Sequence, residues 1–258
     1  MEFKVLTVGD VVAASGAHYL CRRLRGLKST YRADFCIVNG ENAANIGIHP
    51  EQADNLFEAG ADLITLGNHA FGQRTIVPMV EDCPYILRPA NYSPLSPGRG
   101  WGVFDSKAGP VAVVVLQGRV AMDYTPDNPF LAAERILKEL DTKLILVELH
   151  AEATSEKLAM GIHLDGRVSA LWGTHTHVPT ADLQILPKGT GYVTDLGMSG
   201  PRFGVLGVKP EQSIARFRGE LTRRYEPAPG PCKIEGAVFT VDTETGLCTA
   251  VERVFVHD

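Results

Sequence analysis

The chain has 258 residues, about one and a half times a typical domain. It is expected to form one α/β domain over residues 1–258, burying roughly 70–75 % of its unfolded surface without help from disulfides or a structural metal. A composition of 45 % hydrophobic and 21 % charged residues excludes disorder, collagen-like repeats and coiled coil. The acidic excess, a formal charge of -5, leaves no cationic face for duplex DNA. A small phosphorylated substrate stays compatible with that charge, because bound divalent metals bring positive charge of their own.

The longest apolar runs, such as Val111–Leu116 and Leu144–Leu149, are strand-sized and far short of the roughly 20 residues of a membrane span. Five scattered cysteines without a Cys-x-x-Cys pair point to a reducing compartment and against a thiolate zinc site. The stretch from Met1 to Val8 runs into Gly9-Asp10 with no cleavage signature, so a cytoplasmic location is expected. Self-association is left open.

In chain order, Lys4–Val8, Phe35–Val38, Asp62–Leu66, Val111–Leu116, Leu144–Leu149 and Val168–Trp172 read as buried strands. Helices are expected at Gly16–Leu27, Pro50–Ala59, Pro129–Leu140 and Glu152–Ile162. This alternation implies a mostly parallel sheet with helices on its faces. The C-terminal third is broken by Pro187-Lys188-Gly189, Gly197–Pro201 and Ala228–Pro231, and closes with a hairpin of Gly236–Asp242 and Leu247–Val256.

In such sheets ligands bind beyond the carboxyl ends of the strands. Those ends carry Gly9-Asp10, Asn39-Gly40-Glu41-Asn42, Gly67-Asn68-His69, Glu148-Leu149-His150 and Gly173-Thr174-His175-Thr176-His177. Singly, each has a structural explanation: Asp10 as a turn or cap residue, Asn39-Gly40 as a hairpin turn, Asn68-His69 as a polar turn, His150 as a core histidine. His175 and His177, two residues apart, share one side of an extended segment. Independent turns give no reason for oxygen and imidazole donors to recur at every strand end, so the joint reading is a metal centre. Carboxylate, amide and imidazole donors without thiolate suit iron, manganese or zinc in open coordination. The donors are too many for one ion and suit two, with places left for water and substrate. Glu41 is the natural bridge. Asp10 and His177 fit one ion and Asn68, His150 and His175 the other, with Asn42 either a further ligand of the first ion or a close partner of one.

These blocks resemble the metallophosphoesterase superfamily, and specifically its bacterial YmdB-like branch, over nearly the whole chain. The matching stretches include Ile37–Ala44, Ile64–His69, Arg88–Tyr92, His150–Lys157 and Gly173–Val178. The resemblance implies a four-layer α/β/β/α sandwich, a dinuclear centre loaded with iron, and phosphodiesterase activity that includes 2',3'-cyclic nucleotides or RNA-derived phosphodiesters. It also implies His69 as the proton donor to the leaving group, with hydroxide generated between two cations as the attacking group. The chain departs from the wider superfamily in following Asp10 with Val11-Val12 rather than completing Asp-x-His, and in placing Glu41 where an aspartate is usual. Both departures are shared with the branch. The segment Gln117–Met122 has alanine, Ala121, where the branch commonly has a larger aromatic.

Outside this set, Arg88 and Arg119 are candidates for phosphate contact or for structural ion pairs, and Ser199 for lining the pocket. His163 is expected to be exposed or helix-capping, and His18, His49 and His257 to lie at the surface. No His-Glu-x-x-His or Walker A motif occurs, and Pro201 rules out a nucleophile elbow at Ser199. The rival functions are a dinuclear hydrolase acting on a non-phosphate ester, and a regulatory protein that binds nucleotide or a partner with little turnover.

Overall fold

A computed structural model describes residues 1–221 and 224–257. In chain order the elements are β1 (Glu2–Val8), β2 (Asp10–Val11), α1 (Ala13–Cys21), α2 (Leu24–Tyr31), β3 (Phe35–Asn39), α3 (Pro50–Ala59), β4 (Leu63–Thr65), α4 (Val77–Asp82), β5 (Ile86–Leu87), β6 (Trp101–Ser106), β7 (Gly109–Gln117), α5 (Pro129–Leu137), β8 (Leu144–His150), α6 (Thr154–Leu164), β9 (Ala170–Thr174), β10 (Gln184–Ile185), β11 (Gly191–Val193), β12 (Met198–Pro201), α7 (Pro210–Phe217), β13 (Cys232–Asp242) and β14 (Cys248–His257).

The strands form two sheets rather than the one suggested by the alternation alone. The first has the order β2-β12-β13-β1-β3-β4-β5, with β14 on the far side of β13, and the second β10-β11-β9-β8-β7-β6. Strand parity explains how they stack, since successive side chains point to opposite faces. Phe3 and Val5, Phe35 and Ile37, Val111, Val113 and Val115, and Leu144 and Leu146 all enter one core between the sheets. The alternate residues of β1 and β3, including Leu6, Val8, Cys36 and Val38, pack outward against α1 to α4. Those of β7 and β8, including Ala112, Val114, Ile145 and Val147, pack against α5 and α6. The layers are therefore α/β/β/α. Among the described residues no helix is long and apolar enough to cross a membrane.

The helix expected at Gly16–Leu27 is two. The chain bends at Arg22-Arg23, where the Leu20 carbonyl accepts a tight bond from the Arg23 N–H at 2.9 Å, and the second helix turns Leu24 and Leu27 back onto the sheet. Pro50–Ala59 is helical as expected, with proline in its first turn and Gly60 closing it at φ 115°, a left-handed value that favours glycine. α5 starts at Pro129, capped by Asn128 through the Phe130 and Leu131 N–H groups, and ends at Leu137. The Gly197–Pro201 segment, read as a break, contains buried strand β12. A side chain at Gly16 of α1 would meet the Ser199 carbonyl oxygen at 2.4 Å, so the small residues here let helix and strand backbones touch.

Candidate metal centre

At the carboxyl end of the inter-sheet core the apolar side chains give way to a buried polar plug. Glu148 follows the inward parity of Leu144 and Leu146 and has no exposed surface. Its carboxylate accepts hydrogen bonds from Asn39 Nδ2 at 2.6 Å, Thr65 Oγ1 at 2.6 Å, Thr174 Oγ1 at 2.9 Å and Trp172 Nε1 at 3.3 Å. Burial pushes the Glu148 carboxyl up, and the bonds from Thr65 and Asn39 oppose that shift. Because Thr174 gives its hydroxyl proton to Glu148, it is left to accept from His150 Nδ1, 2.8 Å away. That fixes the Nδ1–H on His150 and turns its Nε2 toward the rim.

Around His150 Nε2 lie Asn68 Oδ1 at 2.8 Å, Glu41 Oε1 at 3.0 Å and His175 Nδ1 at 3.1 Å. One ring nitrogen carries at most one proton, so it cannot satisfy three such neighbours. This convergence of electron-pair donors is what a cation balances. Glu41, His150 and His175 each offer a ligand atom within 4.8 Å of the others. His175 Nε2 is 3.1 Å from Glu152 Oε2, which places its proton there and leaves Nδ1 facing the site. Burial and the neighbouring His150 hold the His175 imidazole down at about 3. His150 is raised to about 9: burial opposes its charge, but Glu41 and Asp10 outweigh burial. Burial likewise opposes ionisation of Glu41, and His150 and His69 nevertheless hold it well below the usual carboxylate range.

A second group of donors adjoins the first. Asp10 is fully buried; its Oδ2 accepts from the His175 N–H at 3.1 Å, while Oδ1 has no hydrogen-bond partner and lies 3.8 Å from His177 Nε2. Burial raises the Asp10 carboxyl. His177 Nδ1 is also buried without a partner. Asn42 Nδ2 reaches both Glu41 Oε1 and His177 Nε2 at 3.2 Å, and Asn42 Oδ1 accepts from His69 Nδ1 at 2.9 Å. Asn42 thus spends its amide on neighbouring donors and orients the His69 ring, whose backbone N–H is held by Glu41 Oε2 at 3.1 Å.

Two buried carboxylates within a cluster of imidazoles would cost several kcal/mol each if left unpaired. Orphaned Asp10 Oδ1 with His177 Nε2 3.8 Å away, together with the crowded His150 Nε2, are the features a pair of cations would relieve, so the residues fit the implied metals. Gly67 marks how tightly the space is drawn: a side chain there would lie 2.3 Å from the His150 ring and 2.4 Å from Glu41 Oε2.

The His175–His177 loop takes left-handed backbone at both histidines, φ 96° and 63°, a conformation that persists only where surroundings over-determine it. Asp10 holds one N–H of the loop. Asp195 Oδ2 holds the next, accepting from Thr176 N at 3.2 Å and Thr176 Oγ1 at 2.8 Å. Asp195 is itself fixed by the buried Lys157 ammonium at 2.7 Å. Sequence reading missed Glu148, Thr174, Glu152, Lys157 and Asp195 as supporting groups. The parity of Glu148 with His150 in an otherwise apolar strand was the signal available.

A cleft of about 730 Å³ opens over this rim, lined among others by Glu41, Asn42, His69, His175, His177, Arg216, Arg224 and Tyr225. The other expectations fall away from it. Arg88 is a buried clamp, donating to the carbonyls of Pro97, Pro89 and Ser96, and so makes neither a phosphate contact nor an ion pair. Arg119 is exposed on its side-chain side and is anchored by its backbone N–H on Glu156. Ser199 is buried with an unpartnered hydroxyl and does not line the cleft. His163 pairs with Glu134 at 2.9 Å on the outer helices, and His18, His49 and His257 are exposed.

A two-sheet sandwich with this polar rim at its strand ends defines a phosphoesterase-type fold. Residues 6–254 match the family described as YmdB-like protein, and the chain belongs to that family. It is 42 % identical over 258 residues to the 2',3'-cyclic-nucleotide 2'-phosphodiesterase of Bacillus subtilis (strain 168), an alignment covering 99 % of this chain and 97 % of that one. Among solved structures, a phosphatase from Mycoplasma pneumoniae has a TM-score of 0.94 at 35 % identity, over 100 % of this chain and 94 % of that one. A hypothetical protein from Thermus thermophilus has a TM-score of 0.92 at 38 % identity, over 99 % and 100 % of the two chains.

Proposed function

We propose that this protein is a dinuclear-metal phosphodiesterase that hydrolyses 2',3'-cyclic nucleotides, with donors from both sheets making the whole chain one catalytic unit. The observation that carries the reading is the convergence of Asp10, Glu41, Asn68, His150, His175 and His177 on one rim, with the buried Asp10 Oδ1 left unpartnered there. The name of the 42 % identical relative supports the substrate class. Iron is the metal favoured by the family resemblance, with manganese and zinc compatible with the same donors. Bound metals would acidify water and neutralise phosphate oxygens.

The chain's own residues do the rest. Glu41 lies between the two donor groups and offsets positive charge there. Glu148, through Thr174, keeps the Nε2 electron pair of His150 facing the site. Asn42 Oδ1 accepts the His69 Nδ1–H, so the imidazolium form of the ring carries its other proton on Nε2, the atom that delivers it. In hydrolysis, water oxygen bonds to phosphorus as water gives up a proton to solvent, the bond from phosphorus to the ribose 2'-oxygen breaks, and the proton from His69 Nε2 goes to that departing oxygen, leaving a 3'-monophosphate; His69 then regains a proton from solvent. General-acid help of this kind contributes roughly 10²–10⁴ in rate.

The test is turnover of adenosine 2',3'-cyclic phosphate by metal-loaded protein, beside a panel of carboxylic esters. Release of adenosine 3'-phosphate, abolished by strong chelation, is expected. Ester cleavage without phosphodiester cleavage would assign the centre to other chemistry, and tight nucleotide binding without turnover would make the protein a binder.

A further inference from the structure

We propose that Arg216, Arg224 and Tyr225 form a second subsite in the same cleft, which binds the preceding nucleotide of a single-stranded RNA whose last ribose carries the cyclic ester. The inference rests on the cyclic-nucleotide reading and narrows it from mononucleotides to RNA ends. Both arginines line the cleft that holds the donor rim, and among the described residues neither guanidinium group is paired with a carboxylate. In a chain of net charge -5, with Glu41 and Glu152 bordering the same space, these two cations meet an incoming polyanion unneutralised.

Their placement is built rather than incidental. α7 buries only Ser213, so the sheet does little to hold it. The start of α7 and residues 224–226 are instead joined by local bonds: Lys209 N–H to the Glu226 carbonyl at 3.0 Å, Glu226 N–H to Gln212 Oε1 at 2.8 Å, and Gln212 Nε2 to the Arg224 carbonyl at 3.2 Å. These bonds set Arg224 and Tyr225 against α7, where Arg216 Cζ lies 5.8 Å from the Tyr225 ring centroid. Guanidinium groups that match phosphate oxygens, beside an aromatic face on which a base stacks, are the combination that recognises single-stranded nucleic acid. A 2',3'-cyclic mononucleotide has only its reacting phosphate, which the rim itself takes. The pair of arginines answers a second phosphate, the one joining the terminal nucleoside to its neighbour.

The experiment compares kcat/KM for ApA carrying a terminal 2',3'-cyclic phosphate with that for adenosine 2',3'-cyclic phosphate. The parent is expected to prefer the dinucleotide. The Arg216→Gln/Arg224→Gln double variant should lower that preference ratio roughly tenfold, the lower end of what a charged hydrogen bond contributes, and lysine at both positions should restore part of it. In parallel, binding of ApAp and of adenosine 3'-phosphate is measured without turnover as salt is raised. The parent's dinucleotide affinity should show the steeper salt dependence, by up to about 0.7 in log–log slope for one added phosphate contact, and the double variant should lose that difference. An unchanged preference ratio with equal salt slopes would overturn the subsite, as would a phosphopeptide bound as tightly as ApAp. If the parent hydrolyses neither nucleotide, the cyclic-nucleotide reading fails, while the binding comparison still decides whether the subsite exists.

Discussion

Thr174→Val separates support of a ligand from ligation itself. Valine keeps the shape of threonine and removes the hydroxyl that accepts from His150 Nδ1 at 2.8 Å and donates to Glu148 at 2.9 Å. Glu148 Oε1 retains its bond from Asn39 Nδ2 at 2.6 Å, so the group left unsatisfied is the buried His150 Nδ1–H. An orphaned buried donor costs about 1–3 kcal/mol, against the roughly 5–15 kcal/mol that holds a domain together. The variant should therefore fold and melt roughly 2–12 °C lower. With its ring no longer steered, His150 should bind metal about 10–100-fold more weakly, the range for losing a partner that orients a ligand, or about 1.4–2.7 kcal/mol. Competition with a chromophoric chelator measures the affinity, and a melt of metal-free protein measures the stability. Thr174→Ser, which keeps the hydroxyl, should stay near the parent on both. A Thr174→Val protein that melts lower yet binds metal within twofold of the parent would refute the relay from Glu148 to His150 and leave Thr174 as packing.

Gly67→Ala puts a methyl group 2.3 Å from the His150 ring and 2.4 Å from Glu41; metal content should fall and turnover should drop at least about 10²-fold, whereas a loaded, fully active variant would show that the donors are not held as described. His69→Ala should keep its metals and its KM while kcat falls by roughly 10²–10⁴ on a cyclic nucleotide, with a far smaller loss on a nitrophenyl phosphodiester whose leaving group needs little protonation; equal losses on both substrates would reject the acid role. Glu41, with Asp10, holds His150 protonated up to about 9 in the metal-free protein, so metal uptake at pH 7 must expel that proton. Uptake measured by calorimetry in buffers of different ionisation enthalpy should release about one proton at this site, and affinity should weaken as pH falls; pH-independent uptake with no proton release would contradict the assignment of His150 as a ligand.

The strands were legible wherever burial on both faces made continuous apolar runs, as in Val111–Leu116, and α3 was legible from Pro50 to Ala59. Strand parity alone does not say whether a buried face meets helices or a second sheet, because both coverings demand the same residues. That is why alternation suggested one sheet while Phe3, Val5, Val113 and Leu146 meet across two. β12 escaped notice because close contact between its backbone and α1 calls for small residues, which read as a turn. The donor residues stood out as polar groups just past apolar strands. Their supports did not: Glu148 sits inside a strand, Lys157 and Asp195 are 38 residues apart in sequence, and Glu152 lies in the turn after β8. Arg88 was misread because its partners are backbone carbonyls, which leave no trace in the residue pattern.

Whether this rim holds a pair of metal ions is decided by element-resolved analysis of protein purified without added metal. About two transition-metal ions per chain are expected, falling to one or none in Glu41→Gln, which keeps the side-chain shape and removes the negative charge. One ion or fewer per chain in fully active parent protein, or two in active Glu41→Gln, would contradict the paired centre.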